Sequence, residues 1–330
     1  MTTAGLFVAS ILIIVGGSEL FTNAVEWAGH RLGLARGATG SLLAALGTAL
    51  PETTVPIVAV AGRRPSADGV AVGAILGAPL LLLTLGLAVT GIAVLSRHDA
   101  RELVVEPRQV HRDLGTFIAG FSILMVGFVL PEWARVVAAI AVLVLYAGYV
   151  RATLRGGDPS LTEPEPLHLV RRRPGAPPSA LIGLQLMVGV AALIGGAELF
   201  VRAIEDLAHS LTLAPLLLSL VVVPVATELP ETLNSVLWVR ARSDWLALGN
   251  VAGATAFQAC IPGAFGLVFT SWRPGPLGLA SALLSLAMSG AVLALLRRGR
   301  SRGWWLLCCG LPWVVLVAVI ATTGQRLQAS

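Results

Sequence analysis

Two glutamates follow prolines inside long apolar runs: Glu52 in Leu50-Pro51-Glu52-Thr53 and Glu231 in Leu229-Pro230-Glu231-Thr232. An ionised carboxylate at the centre of a hydrocarbon layer costs at least about 2.5 kcal/mol unless it faces a cavity or a cation. Each proline removes a backbone donor and clashes with the preceding turn, so each Pro-Glu pair marks an interrupted helix, and Gly47 and Pro224 loosen the approach to each break. A carboxylate beside freed backbone carbonyls is chemistry for holding a cation. The competing role is packing glue, protonated or bonded to a neighbouring helix, and the symmetric placement of the two glutamates favours the cation. Glu228 lies three residues before Glu231 and shares its helical face if the turn survives Pro230. Three converging carboxylates suit a divalent ion, or leave one of them protonated; the alternative for Glu228 is a water-filled vestibule.

The elements that carry these residues repeat. Gly16-Gly17-Ser18-Glu19-Leu20-Phe21 returns 179 positions later as Gly195-Gly196-Ala197-Glu198-Leu199-Phe200, and the same offset carries Glu26 onto Glu205, His30 onto His209, Thr48 onto Thr227 and Leu50-Pro51-Glu52-Thr53 onto Leu229-Pro230-Glu231-Thr232. Beyond it the offset is 176, carrying Asp68 onto Asp244, Gly73 onto Gly249 and Gly77 onto Gly253, so the first half holds three extra residues in one short loop.

Composition says what the repeats are made of. Of the 330 residues 56% are apolar and 12% charged, and the mean hydropathy is +0.83. Ten apolar runs are long enough to cross a hydrocarbon core of about 30 Å as helices: residues 4–28, 38–62, 68–95, 115–130, 134–152, 179–204, 212–239, 244–271, 276–296 and 303–323. Continuous Leu-, Ala-, Val- and Gly-rich runs exclude a β-barrel, whose strands alternate. The expected fold is an all-α polytopic membrane protein of two five-helix repeats. Five is odd, so the second repeat enters the membrane from the opposite side and the topology is inverted.

All 23 basic residues are arginine, and 17 of them fall in the loops after spans 1, 3, 5, 7 and 9. The positive-inside rule places those loops in the cytoplasm and both termini outside it. The net charge of +5 thus reflects orientation in a cell membrane, not nucleic-acid binding. No charged residue precedes Glu19, so span 1 lacks the basic start of a cleaved signal peptide and is expected to be retained. Cys260, Cys308 and Cys309 lie in apolar segments without metal-site or disulfide spacing. The Pro-, Gly- and charge-rich stretch 153–178 reads as a cytoplasmic linker between a first repeat, 1–152, and a second, 179–330. Inverted repeats recur in secondary transporters, with the substrate site near the midplane on interrupted helices.

The motifs around both glutamates resemble the Gly-Thr-Ser-x-Pro-Glu signatures of the sodium/calcium exchanger family: Gly47-Thr48-Ala49-Leu50-Pro51-Glu52 and Ala226-Thr227-Glu228-Leu229-Pro230-Glu231. Gly249-Asn250-Val251-Ala252-Gly253-Ala254-Thr255-Ala256-Phe257-Gln258 resembles the family's Gly-Asn-Val-x-Gly-Ser-Asn-x-Phe-Asn/Asp motif, and Gly73-Ala74-Ile75-Leu76-Gly77-Ala78-Pro79 is its worn counterpart. The resemblance implies an ion site on spans 2, 3, 7 and 8, with Thr48, Glu52, Thr227 and Glu231 as ligands, Gln258 in place of an Asn or Asp ligand, and Glu228 and Asn250 as further candidate ligands. An amide oxygen still coordinates a hard cation. Ala49, Ala78 and Ala254 stand at motif serines, Glu228 at another, and Leu82 where an Asn or Asp is expected, so the first-repeat half of the site is reduced.

The implied activity is antiport by alternating access, Ca2+ exchanged for Na+ or H+, with spans 1 and 6 moving against the rest. Glu19 and Glu198, each after a Gly-Gly pair, are then structural or gating residues where small side chains permit close helix approach. The expected partners are inorganic cations and the lipid bilayer, with no cofactor and no nucleic acid; no feature sets an oligomeric state. The alternatives are an exchanger of another cation on the same fold, an intramembrane enzyme acting on lipid phosphate, and a non-transporting sensor. The enzyme would need a Ser, His and Arg cluster beside the Pro-Glu pairs, which the sequence lacks, and retention of both pairs argues against loss of ion binding.

Overall fold

The computed structural model describes residues 3–31, 49–97, 101–155, 165–170, 177–211 and 213–329. In chain order the helices are α1 (Thr3–Arg31), α2 (Leu50–Ala61), α3 (Ala67–Leu81), which runs through a π-helical turn at Leu82–Gly86 into α4 (Leu87–Leu95), α5 (Pro107–Val126), α6 (Glu132–Arg155), α7 (Ser179–Ser210), α8 (Pro215–Thr227), α9 (Leu229–Arg240), α10 (Asp244–Phe269), α11 (Gly275–Leu296), α12 (Gly303–Cys308) and α13 (Leu311–Ala329). Strands β1 (Glu102–Val104) and β2 (Arg300–Arg302) pair antiparallel, with Leu103 opposite Ser301.

Among the described residues seven helical stretches are long and apolar enough to cross a membrane, and the bent pair α8 and α9 makes an eighth. Each coincides with a predicted span. The other two predicted spans map onto α2 and α5. Residues 38–48 of the former lie outside the described residues, and the first two turns of α5 carry Arg108, His111, Arg112 and Asp113. In a helix every backbone group is satisfied within its own segment, which is why continuous apolar runs settle on it. Exposed Val137, Ile140 and Val144 on α6, and Leu184, Met187 and Ile194 on α7, present the apolar faces expected toward lipid, while Trp133, Trp304 and Trp305 stand exposed near helix ends.

The loops sort into two ends. At one end β1 meets β2, Arg97 donates to Asp244, and the linker residue Glu165 accepts from Asn23 and Trp27 of α1. These are the loops after the odd-numbered spans, so this is the arginine-rich end. At the other, Arg64 meets Glu205, Asp68 accepts from the Ser271 N–H, and Arg135 donates to the Thr270 carbonyl.

Among the described residues two large hydrophobic clusters divide the bundle, beside a small third one of Ala24, Trp27, Leu167 and Ile182. The larger joins α3 to α6 and α10 to α13, with Leu76, Leu83, Phe117, Phe121, Val142, Leu267 and Trp272 inside it. The second packs α1 and α7 onto α2, α8 and the start of α3 through Ile14, Val55, Ala74, Leu193, Phe200, Ile204, Leu218 and Val223. Within it α1 and α7 touch closely: a Cβ on Gly17 would lie 2.9 Å from that of Ala192, and one on Gly189 2.8 Å from the Phe21 nitrogen. One glycine of each Gly-Gly pair does this work, since Gly16 and Gly195 face open space while Gly17 and Gly196 meet the facing helix.

Candidate cation site

The site grows out of the break between α8 and α9. Pro224 lies inside α8, and the two helices meet at Glu228 with a bend of 44°. Pro230 stands in the first turn of α9, where a missing N–H is an orphan in any case. The interruption therefore falls before the proline, at Glu228 (φ −91°, ψ 3°), which is the cap and not part of a continuous turn with Glu231. The first half matches it: Ala49 (φ −81°, ψ 7°) caps α2, Pro51 is in the first turn and Glu52 follows. Thr48 lies outside the described residues.

Glu52, Glu228 and Glu231 are 3%, 0% and 1% exposed, and Glu52 feels the charges of both others. Gln258, on α10, connects Glu228 and Glu52. Its Nε2 donates to Glu228 Oε2 over 2.8 Å, and its amide also lies beside the Glu52 carboxylate. Thr227 Oγ1 donates to Glu228 Oε1 at 3.2 Å. Both carboxylate oxygens of Glu52 and Oε1 of Gln258 are buried without a hydrogen bond. Buried oxygens left this way are costly in a low-dielectric interior, and either a bound cation or a proton removes the cost. Among the described residues no three acidic, His or Cys side chains close tightly enough to form a ready-made metal cage, so the donor set is convergent without being collapsed onto a point.

Asn250 engages the backbone beside the carboxylates through its amide nitrogen. Its Nδ2 donates to the Glu231 carbonyl at 2.9 Å, tying α10 to the backbone of α9. Ser235 does the same from the other helix, donating to the carbonyls of Glu231 and Ala247. This brace sets where the Glu231 side chain starts, and nothing in the spacing of Ser235 announces it.

On the first-repeat side, Leu82 and Ala78 are buried and bring no oxygen. Leu82 opens the π-helical turn, whose Thr84 hydroxyl donates to the Leu80 carbonyl at 2.5 Å. Such turns frequently mark functional positions, and Leu82 lies 176 positions before Gln258, the offset that relates Gly73 to Gly249. The worn glycine motif has a packing role. A Cβ on Gly73 would lie 2.4 Å from the Leu216 carbonyl oxygen and one on Gly77 2.1 Å from that of Leu220, so these glycines let α3 cross α8 at backbone distance. Glu19 is exposed on α1, and Glu198 pairs with Arg202 at 3.6 Å on the outer face of α7; neither reaches the carboxylate cluster.

Comparison with known proteins bears on this arrangement. The chain matches the sodium/calcium exchanger protein family over residues 2–155 and 181–322. It is 25% identical over 299 residues to a putative antiporter, CaxA, of Alkalimonas amylolytica, covering 90% of this chain and 89% of that protein. It is also 25% identical to the inner membrane protein YrbG of Escherichia coli K12, covering 91% and 90%. Its fold is similar to the crystal structure of the H+/Ca2+ exchanger CAX, with a TM-score of 0.77 at 15% identity over 99% of this chain and 86% of the other. It is likewise similar to the sodium-calcium exchanger NCX_Mj, with a TM-score of 0.62 at 19% identity over 96% and 98%. Matched along nearly all of both halves, the chain belongs to the sodium/calcium exchanger protein family and is a multi-pass membrane transporter, not an enzyme.

Proposed function

We propose that this chain exchanges Ca2+ for Na+ or H+ across the membrane through one shared carboxylate site, exposed to each side in turn. The observation that carries the reading is the burial of Glu228 and Glu231 close enough to the buried Glu52 for it to feel both charges, with Gln258 between Glu228 and Glu52 and with the Glu52 oxygens and Gln258 Oε1 lacking hydrogen bonds. Hard cations take oxygen ligands, and Ca2+ tolerates irregular shells of six to eight of them. Glu52, Glu228, Glu231, Gln258 and Thr227, with Thr48 carried over from the motif, would supply the side-chain oxygens. The carbonyls freed at the helix breaks add to them. Asn250 acts by holding the Glu231 backbone. Similar proteins include a putative antiporter, and the similar folds are those of an H+/Ca2+ exchanger and a sodium-calcium exchanger.

Exchange follows from competition. Ca2+ and Na+ or H+ need the same carboxylates and cannot occupy them together, so a site that reorients only when filled couples one gradient to the other. The moving unit is α1 with α7, which packs through its own hydrophobic cluster onto α2 and α8, the helices that carry Glu52 and the break at Glu228. The halves 1–152 and 179–330 act as inverted repeats joined by the linker 153–178, in a cell membrane with both termini outside the cytoplasm. The alanines and Leu82 on the first-repeat side leave fewer ligands than the family motif has, which favours a single divalent ion over several monovalent ones.

The test is uptake of radiolabelled Ca2+ into proteoliposomes with an outward Na+ gradient, an outward H+ gradient, or none. Uptake under one gradient and not in its absence identifies the counter-ion. Equal uptake in all three would mean a channel and would sink the antiport mechanism.

A further inference from the structure

Glu205, near the end of α7, ties that helix to the rest of the bundle. Its carboxylate accepts from Arg64 Nη1 at 2.5 Å and from the Ser66 hydroxyl. Both donors belong to the turn between α2 and α3, at the arginine-poor end. Arg63 and Arg242, 179 positions apart, both adopt positive φ, 50° and 62°, just after α2 and α9. Arg242 is followed at once by Ser243 and Asp244, where α10 starts, whereas Arg63 is followed by Arg64, Pro65 and Ser66 before Ala67 and Asp68 begin α3. The three residues that the first half has in excess are therefore Arg64-Pro65-Ser66, and two of them hold Glu205.

The opposite end is built differently. Glu26 occupies in α1 the position that Glu205 occupies in α7, and its charged neighbour is Glu165 of the linker, a like charge. Polar ties there join α1, α7 and the linker to one another. Gln185 donates to the Leu20 carbonyl and to Asn23 Oδ1 and accepts from the Leu169 N–H, Asn23 also accepts from the His168 N–H, and Arg31 donates to Ser179. These bonds stay intact if α1 and α7 move as one body. The Glu205 bonds join the moving pair to the turn between α2 and α3, and they must break.

We propose that Arg64 and Ser66 form a one-sided catch on Glu205 that holds the bundle closed at the arginine-poor end, biasing the exchanger toward the state that opens at the other. The proposal rests on the alternating-access reading above. An ion pair whose side chains are 25% and 23% exposed is weak enough to break in every cycle, and Pro65 stiffens the turn that presents it. Arg64 and Ser66 touch no site residue. They act through the position of α7, so what they set is the population of states and not the chemistry of binding.

The experiment compares half-saturating Ca2+ at the two faces, using right-side-out and inside-out membrane vesicles, for the unaltered chain, Arg64→Gln, Ser66→Ala and the charge exchange Arg64→Glu with Glu205→Arg. Releasing the catch populates the state open at the arginine-poor face. Half-saturation at that face should fall about three- to fivefold in Arg64→Gln, stay level or rise at the other face, and return toward the original value in the charge exchange. Ser66→Ala, which removes a single hydroxyl, should shift the same way and serves where Arg64→Gln does not fold. Movement of both faces in the same direction, or of neither while exchange persists, would overturn the catch. Absence of gradient-driven uptake by the unaltered chain would instead remove the antiport reading on which it rests.

Discussion

Gln258 donates its amide Nε2 to Glu228 Oε2 over 2.8 Å, tying the middle of α10 to the break between α8 and α9. The bond spends the donor of Gln258 on a carboxylate and leaves Oε1, the atom a cation would use, buried and unbonded. An Asn or Asp at that position would be one carbon shorter, and the Glu228 that Gln258 reaches stands where the family motif has a serine. Both departures lengthen the side chain, and the two longer chains meet in this bond.

Gln258→Leu should therefore cost more than one ligand. It leaves the Glu228 carboxylate without a charge-assisted hydrogen bond, worth about 1.5–3 kcal/mol, and half-saturating Ca2+ should rise at least about tenfold. Gln258→Asn keeps the amide at shorter reach and should fall between. Equal behaviour of Leu and the unaltered chain in a Ca2+ titration of uptake would remove Gln258 from the site.

Protons compete for the same carboxylates, and a carboxylate must be ionised to hold the metal. As pH falls on the side where Ca2+ binds, half-saturating Ca2+ should rise, while the maximal rate at saturating Ca2+ should change little over the same range. In Glu228→Gln, with one competing group fewer, the dependence on pH should be shallower. A pH profile identical in the two proteins would place Glu228 outside the ion's shell.

Arg97 and Asp244 form a buried pair that also engages the Val239 carbonyl and the Val104 N–H, locking α4, β1 and the start of α10 together. Removing one partner strands a buried charge, which typically costs about 3–5 kcal/mol. Asp244→Asn and Arg97→Met should each lower the unfolding temperature in detergent markedly. The double replacement should be less destabilised than the sum of the two, which thermal unfolding of all four proteins checks.

Gly77→Val places a side chain where the Leu220 carbonyl oxygen already lies, 2.1 Å from the new Cβ. Overpacking of this kind costs about 1–3 kcal/mol or more, so the variant should unfold several degrees lower or fail to fold. Gly148→Ala, with open space around it, is the control and should match the unaltered chain.

Much of this was legible in the residues themselves. The offset of 179 located both Pro-Glu pairs, and hydropathy located the eight stretches that are helical and long enough to cross a membrane, because burial in lipid leaves a helix no choice but a continuous apolar run. The break falls two residues before each proline. Proline is harmless in the first turn of a helix, so the interruption falls at Ala49 and Glu228 and the prolines begin the next segment. Asn250 matched a motif letter for letter and still turns to the Glu231 backbone, since which atom a side chain meets depends on the rotation of α10 against α9. Gly73 and Gly77 likewise serve the crossing of α3 over α8. The Ser235 brace and the Gln185–Asn23 network carry no pattern: single polar residues on apolar helices show their purpose only when their partners, 12 and 162 residues away, are brought beside them.

The most direct measurement of the central claim is gradient-driven uptake of radiolabelled Ca2+ into proteoliposomes holding the unaltered chain, Glu52→Gln or Glu231→Gln. One shared site predicts uptake by the unaltered chain and background levels in both variants, with all three proteins folded by size-exclusion and thermal unfolding. Uptake that survives in either variant would contradict a site built from both glutamates, and uptake absent from the unaltered chain under every imposed gradient would contradict Ca2+ as the transported ion.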